Sequence, residues 1–388
     1  MKKALIILLI GLSMLTVGCK EINSGDGSKE GNNNQVVDDG EIDKNKDDEV
    51  DKNKDDEADK KTDTSQGEET QKKEEVVVSK YTINDLIGIK ENEKYSYEGT
   101  NSEFAEYVRY VDYIDGNKFQ IRSNNSATEY VKVIEATNDE LKVVFYRGVC
   151  DYRENFLKKP AIKNEILLKA PIAKGTSWTL EDGSKRYISS IDAKVSTSIG
   201  EYECIEVTTE NKSGEKDLQY YAPNVGLVKE VYDVGNMAVT STLGKIDKDA
   251  RLTQVIRCYY PDEEANFMKY EDVEVYFATN DITRLTLQNK FREFPGGNSV
   301  MLKEGVSINS LYLNNDGMLY LDVTKSFISE MANGTTGEYF AIQNLVNTLG
   351  RYYGVENVYI TLDGGQYESG HIVMEKGESF SIDLSKVK

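Results

Sequence analysis

Histidine is almost absent: the 388 residues contain one, His371. A Ser–His or Cys–His catalytic pair would depend on that single residue, and a His-rich metal centre is excluded. Cysteine is scarce as well. Cys19, Cys150, Cys204 and Cys258 lie far apart and no C-x-x-C occurs, so neither a zinc nor a thioredoxin signature is present. A basic excess is missing. The formal charge is −20, which argues against nucleic acid, because a phosphate-binding surface needs a basic patch. No glycine-rich loop leads into Lys-Ser/Thr, and Pro295-Gly296-Gly297 reads as a turn. The one tryptophan, Trp178, could stack on a sugar, but a lone Trp in a strand is more often core.

What is present begins at the N-terminus. Two lysines precede an apolar run over residues 4–17, too short to span a bilayer comfortably and suited to an export signal. The run ends in Leu15-Thr16-Val17-Gly18-Cys19, which resembles a bacterial lipobox in its looser form. That resemblance implies cleavage before Cys19, lipidation of its thiol and attachment to a membrane through the acyl chains. Residues 1–19 are therefore expected to be a lipoprotein signal with its lipidated Cys.

Residues 20–80 hold 20 acids and 11 bases, and between Asp38 and Glu75 the only aliphatic side chains are Ile42, Val50 and Ala58. Such a segment cannot bury enough apolar surface to offset the entropy of ordering it, and a disordered acidic tether is expected. Within it, DKNKDDEV is followed at once by DKNKDDEA. The Asp-x-Asn-x-Asp opening resembles a calcium loop. However, an EF-hand needs Gly at position 6 and Glu at position 12, and from Asp43 these are Asp48 and Lys54. A tether of about 60 residues spans on the order of 40–45 Å as a flexible coil.

Residues 81–249 read as short strands with turn punctuation. The stretches 105–114 and 118–123 flank Asp115-Gly116-Asn117; 177–180 and 185–191 flank Asp182-Gly183; 193–198 and 202–208 flank Ile199-Gly200. The spacing predicts an antiparallel β-rich domain, a half-barrel, barrel or sandwich. Over 107–114, apolar residues fall on both faces, which calls for cover on both sides by a second protein layer or by a ligand.

After residue 250 the pattern changes to α+β. Strands are expected at 255–260 and 272–278, a helix at 281–294, and a hairpin around Asn315-Asp316-Gly317. Thr335-Thr336-Gly337-Glu338 reads as a capping box, and Ile342, Leu345, Val346, Leu349 and Tyr353 form a core-facing helical stripe ended by Gly354. A strand follows at 357–362. The run Ala341-Ile342-Gln343-Asn344-Leu345-Val346-Asn347-Thr348-Leu349, then Gly354-Val355-Glu356-Asn357-Val358-Tyr359-Ile360-Thr361-Leu362-Asp363-Gly364, resembles the GerMN domain of spore-germination and sporulation lipoproteins of Gram-positive bacteria. The resemblance covers roughly residues 251–384 and implies a non-enzymatic domain similar to ring-building modules, working by protein–protein contact. The sporulation protein that gives the domain its name carries two in tandem; here one is visible, behind an unrelated β-domain.

The reading is therefore multidomain: a signal at 1–19, a tether at 20–80, a β-rich domain at 81–249 and a GerMN-like α+β domain at 250–388. No catalytic, cofactor or metal residues are assigned. The expected function is that of an envelope protein outside the cell membrane, anchored through Cys19, that binds other envelope proteins or itself. The alternative is binding or transfer of an apolar or lipid-like ligand by the β-rich domain. His371 and the acids Asp262, Glu263 and Glu264 read as solvated, Tyr259-Tyr260 and Tyr352-Tyr353 as packing. Of Cys150, Cys204 and Cys258 at most one pair can form, and buried free thiols are expected.

Overall fold

A computed structural model describes residues 77–388 apart from 235–236, 297–298 and 332–333. The export signal, Cys19 and the acidic repeats lie outside the described residues. Twelve strands form one antiparallel sheet. They are β1 (Lys94–Thr100), β2 (Tyr107–Asp115), β3 (Lys118–Asn125), β4 (Glu129–Ala136), β5 (Glu140–Arg147), β6 (Glu165–Lys169), β7 (Ser177–Thr179), β8 (Lys185–Thr197), β9 (Gly200–Glu210), β10 (Lys216–Ala222), β11 (Gly226–Val234) and β12 (Met237–Asp247). Local turn chemistry builds its hairpins. Gly116 takes φ +57° between β2 and β3, the left-handed conformation such a turn needs. The two strands expected at 185–191 and 193–198 are one, β8, with register shifts between Ser190 and Ala193. A bulge adds residues and bends a strand without ending it.

The sheet order is β6-β5-β4-β3-β2-β1-β12-β11-β10-β9-β8-β7, so two six-strand meanders are joined where the first strand pairs with the last. The sheet curls into a nearly closed barrel. Its two ends meet through side chains: the Trp178 indole of β7 and the Arg186 guanidinium of β8 both donate to the Ile166 carbonyl of β6, at 3.0 and 2.7 Å. Trp178 is core, 7 % exposed. Residues from both halves, among them Ile121, Val143, Leu168, Ile188 and Val207, pack inside with Ile83 and Leu86 of the preceding 3-10 turn (Asn84–Leu86). This plug approaches the β10–β11 turn backbone to backbone, where a Cβ on Gly226 would lie 2.5 Å from the Ile87 carbonyl oxygen.

The C-terminal region is α+β. A long ribbon, β13 (Leu252–Pro261) with β14 (Met268–Phe277), precedes α1 (Thr283–Glu293) and the short pair β15 (Pro295–Gly296) and β16 (Ser299–Val300). Then come β17 (Ile308–Leu313), β18 (Leu319–Val323), α2 (Ser326–Met331), α3 (Gly334–Tyr353), β19 (Asn357–Leu362), β20 (Gly365–Gln366) and β21 (Phe380–Ser381). β18 and β19 are parallel, joined across α2 and α3. The sequence stripe predicts one buried face for α3, yet beyond the exposed first turn every residue from Phe340 to Gly350 is buried, held among the ribbon and β18–β19. Its second face is polar and largely bonded within the protein, although Asn344 Oδ1 is buried without a partner among the described residues. Gln343 donates to Asn347 at 2.8 Å, Asn347 donates to the Asp383 carbonyl at 2.8 Å, and Thr348 accepts from the Tyr259 amide at 3.0 Å.

The expected capping box is not formed. The helix already includes Gly334, and Glu338 does not turn back to Thr335 but is buried and accepts from the Tyr367 hydroxyl at 2.8 Å. At the other end Gly354 takes φ +68°, as a helix-ending glycine should.

The apolar residues on both faces of β2 are explained by a second protein layer. Tyr113, Val131, Val133 and Val144 on the outer wall of the barrel join one core with α1, α3 and the ribbon. The observation that pointed to an apolar ligand is thereby accounted for by packing.

Candidate functional site

The residues singled out in the sequence do not converge. His371 is exposed, with its Nδ1 3.3 Å from the Thr335 hydroxyl. Asp262 accepts from the Asn266 and Phe267 amides in a surface turn. Tyr259 is buried, the Tyr352 hydroxyl donates to Gln254 at 2.6 Å, and Tyr353 packs on Tyr152 at 4.9 Å. Cys150, Cys204 and Cys258 are free and buried. Burial pushes their thiols up to about 11, about 12 and about 12, which suppresses the reactive thiolate. Among the described residues no group of His, Cys, Asp or Glu could hold a metal, and no helix is long and apolar enough to cross a membrane.

The densest buried charge lies where the barrel meets the C-terminal region. Arg122 and Arg153 are fully buried. Arg122 pairs with Asp112 at 3.0 Å and also binds Glu129 and the carbonyls of Cys150 and Tyr152. Arg153 donates to the Tyr113 hydroxyl at 2.8 Å, the Asp112 carbonyl at 2.8 Å, the Ala278 carbonyl at 3.0 Å and the Asp281 carbonyl. Every one of these is an internal contact, so this network is a clamp between two layers.

The C-terminal sheet offers a different kind of surface. Its inner face is core, while its outer face carries exposed and half-buried side chains. Three tyrosines lie side by side there: Tyr312 opposite Tyr320, and Tyr320 opposite Tyr359. Ring centroids are 5.5 and 4.9 Å apart, and Tyr312, on the edge strand, is 41 % exposed. Strand alternation produces this row. Leu311-Tyr312-Leu313, Leu319-Tyr320-Leu321 and Val358-Tyr359-Ile360 each set one Tyr between aliphatic neighbours. That shared pattern was the available signal, and only strand pairing shows that the three tyrosines align. Asp316 accepts from the Tyr320 hydroxyl at 2.8 Å, and Asp322 accepts from Thr361 at 2.6 Å and from the Gly364 amide at 2.7 Å. Hydrogen bonds led by that from the Met318 amide hold the Asp316 carboxyl below its ordinary range. The face is thus aromatic with a charged border. Beside Tyr312 runs a groove of about 640 Å³ between the tip of β2, residues 153–159 and the start of α1.

Residues 257–368 match the family model described as Germane: Sporulation and spore germination. The chain thus carries a Germane domain, and the tyrosine row lies within it. No curated protein matches the chain. Among solved structures, a Bacteroides fragilis protein assigned as exported, of YMCC-like fold, is 12% identical over 42% of this chain and 99% of its own, with a TM-score of 0.25. A Parabacteroides distasonis protein assigned as a lipoprotein is 12% identical over 44% of this chain and 100% of its own, also at 0.25. The tandem GerMN domains of the sporulation protein GerM from Bacillus subtilis are 19% identical over 35% of this chain and 46% of theirs, at 0.23. Superpositions this loose carry no argument, and the family statement rests on the match at 257–368.

Proposed function

We propose that this is a non-catalytic envelope lipoprotein of sporulation or spore germination. In this reading it is held outside the membrane by acyl chains on Cys19, reaches outward on the tether at 20–80, and works by protein–protein contact through its Germane domain. The observation that carries the contact reading is the row of Tyr312, Tyr320 and Tyr359 on that domain. Aromatic side chains of this kind anchor interfaces because they bury much area at small entropic cost. The partner is another envelope protein or a second copy of the chain. The absence of any converging acid, base and nucleophile among the described residues favours binding over turnover.

The test is photo-crosslinking on intact cells with a benzoylphenylalanine at position 312. Discrete protein adducts that vanish in a Tyr320→Ser, Tyr359→Ser background support the reading. Adducts unchanged in that background, or cell-wall hydrolysis by the purified chain, would sink it.

A further inference from the structure

The concave face of the barrel differs along its length. Towards one end it is packed with the apolar side chains and the plug described above. Towards the other end the same strands carry polar groups. Arg109, Ser123 and Tyr130 stand side by side on β2, β3 and β4, and the next row is Ile121, Lys132 and Tyr146 on β3, β4 and β5. From the other half of the sheet, Glu230 and Gln219 are register partners on β11 and β10. The walls converge. Tyr107 of β2 donates to Glu230 of β11 at 3.0 Å although β1 and β12 lie between them. On a flat sheet those strands would be about 14 Å apart.

The acids in this mouth are answered from within. Glu230 accepts from Tyr107, from Gln219 at 2.9 Å and from Tyr232 at 3.1 Å. Glu165 is paired with Lys163 at 2.9 Å and Arg186 at 3.5 Å. The cations make no direct ion pair among the described residues. Arg109 is only 8 % exposed, and its buried Nε and Nη2 have no hydrogen-bond partner among the described residues. Tyr95 and Tyr97 lie against the guanidinium at 4.5 and 5.5 Å, but a ring face leaves the in-plane N–H groups unsatisfied. Lys132 touches the Tyr130 ring at 5.4 Å and has no ion-pair partner among the described residues. Burial works against its charge, but Tyr130, Glu165 and Glu230 outweigh it, so the ammonium is held above its ordinary range.

Arg109, with free N–H groups, and Lys132, whose charge Glu165 and Glu230 balance without a direct ion pair, together suit an anion that can bond them directly. Tyr130 and Tyr146, 5.8 Å apart, supply flat amphipathic walls, while Ser123 supplies a hydroxyl edge. The geometry points to a binding site for an acidic sugar in the mouth of the barrel, with Arg109 and Lys132 on its carboxylate or phosphate and Tyr130 and Tyr146 against its ring.

The full chain is titrated calorimetrically with an oligogalacturonate, a sugar phosphate, a neutral oligosaccharide of equal length and inorganic phosphate. Binding of either acidic sugar, none of the neutral one, and a loss of about tenfold or more in Lys132→Gln is expected. Tyr130→Ala should weaken the acidic sugar at an unchanged melting temperature. The tighter of uronate and sugar phosphate identifies the anion. Arg109→Gln removes a buried group, so Lys132→Gln, at a half-buried position, carries the test. Equal binding of the neutral sugar, no binding of either acidic sugar at millimolar concentration, or full affinity in Lys132→Gln overturns the site. Inorganic phosphate binding as tightly as the sugar phosphate overturns the role of the tyrosines.

Discussion

The Trp178 indole nitrogen lies 3.0 Å from the Ile166 carbonyl oxygen and donates to it across the gap between β7 and β6. The residue that looked most like a sugar platform in the sequence therefore works as a latch. An edge carbonyl that no strand covers is satisfied by a side chain from the opposite edge, with Arg186 as a second donor.

Trp178→Phe keeps most of the ring but removes the donor. The expected cost is about 1 kcal/mol, because Arg186 still serves the carbonyl. Trp178→Ala should cost about 3–5 kcal/mol through the lost core volume. Urea midpoints of the two variants check this, and a Trp178→Phe midpoint equal to wild type would show that the ring only packs.

Arg153→Leu should be among the most damaging single changes. It removes hydrogen bonds to Tyr113, Asp112, Ala278 and Asp281 and leaves buried carbonyls unpaired. A cost of about 3–5 kcal/mol is expected. Since the clamp ties the barrel to the C-terminal region, unfolding followed by near-ultraviolet dichroism should also broaden or split. A single transition at the wild-type midpoint is the contrary result.

Glycine substitutions separate strain from collision. Gly116 and Gly226 both have positive φ, +57° and +79°. A Cβ on Gly116 meets nothing within 4 Å, whereas one on Gly226 meets the Ile87 carbonyl oxygen at 2.5 Å. Gly116→Ala should cost about 1–2 kcal/mol from the left-handed backbone alone. Gly226→Ala should cost clearly more and loosen the plug, which protease digestion after residue 77 would reveal.

Stability on the acid side should depend on Glu165. Burial raises its carboxyl, but Lys132, Lys163 and Arg186 outweigh this and lower it to about 2. A depressed folded value means stability present above the unfolded carboxylate range and lost as pH falls through it, here between about 4.5 and about 2, worth up to about 3 kcal/mol. Glu165→Gln should flatten the thermal melting curve over that window. An unchanged slope would place the acid sensitivity elsewhere.

The three described thiols should be silent to a disulfide reagent at pH 8 in the folded chain and react at once in denaturant. Burial raises them to about 11 or about 12, so stability falls as pH rises from the unfolded thiol value towards those figures. Reaction of any one of them in the native chain would show local opening.

Much of the C-terminal region was legible because its signals are local. The Asn315-Asp316-Gly317 turn, the helical stripe over 342–353 and the strand at 357–362 each lie within a short stretch, and each forms as the pattern requires. The capping box failed because a Thr-x-x-Glu pattern does not say whether Glu338 turns back to the chain or inward to Tyr367. The tyrosine row was written in three separate strands, and nothing local states that they align.

The sequence alone determined the hairpins, the α+β character of the second region, the family to which residues 257–368 belong, and the scarcity of histidine that leaves chemistry so little to build on. These follow from nearest-neighbour stereochemistry, side-chain periodicity and composition. Tertiary structure decided the rest: the pairing of β1 with β12, the closure at Ile166, the buried arginine clamp and the Arg109 N–H groups left without a partner in the barrel mouth. These depend on contacts between residues far apart in the chain. Whether a buried charge is satisfied is decided by the acceptors that folding brings within about 3 Å, which no local pattern encodes.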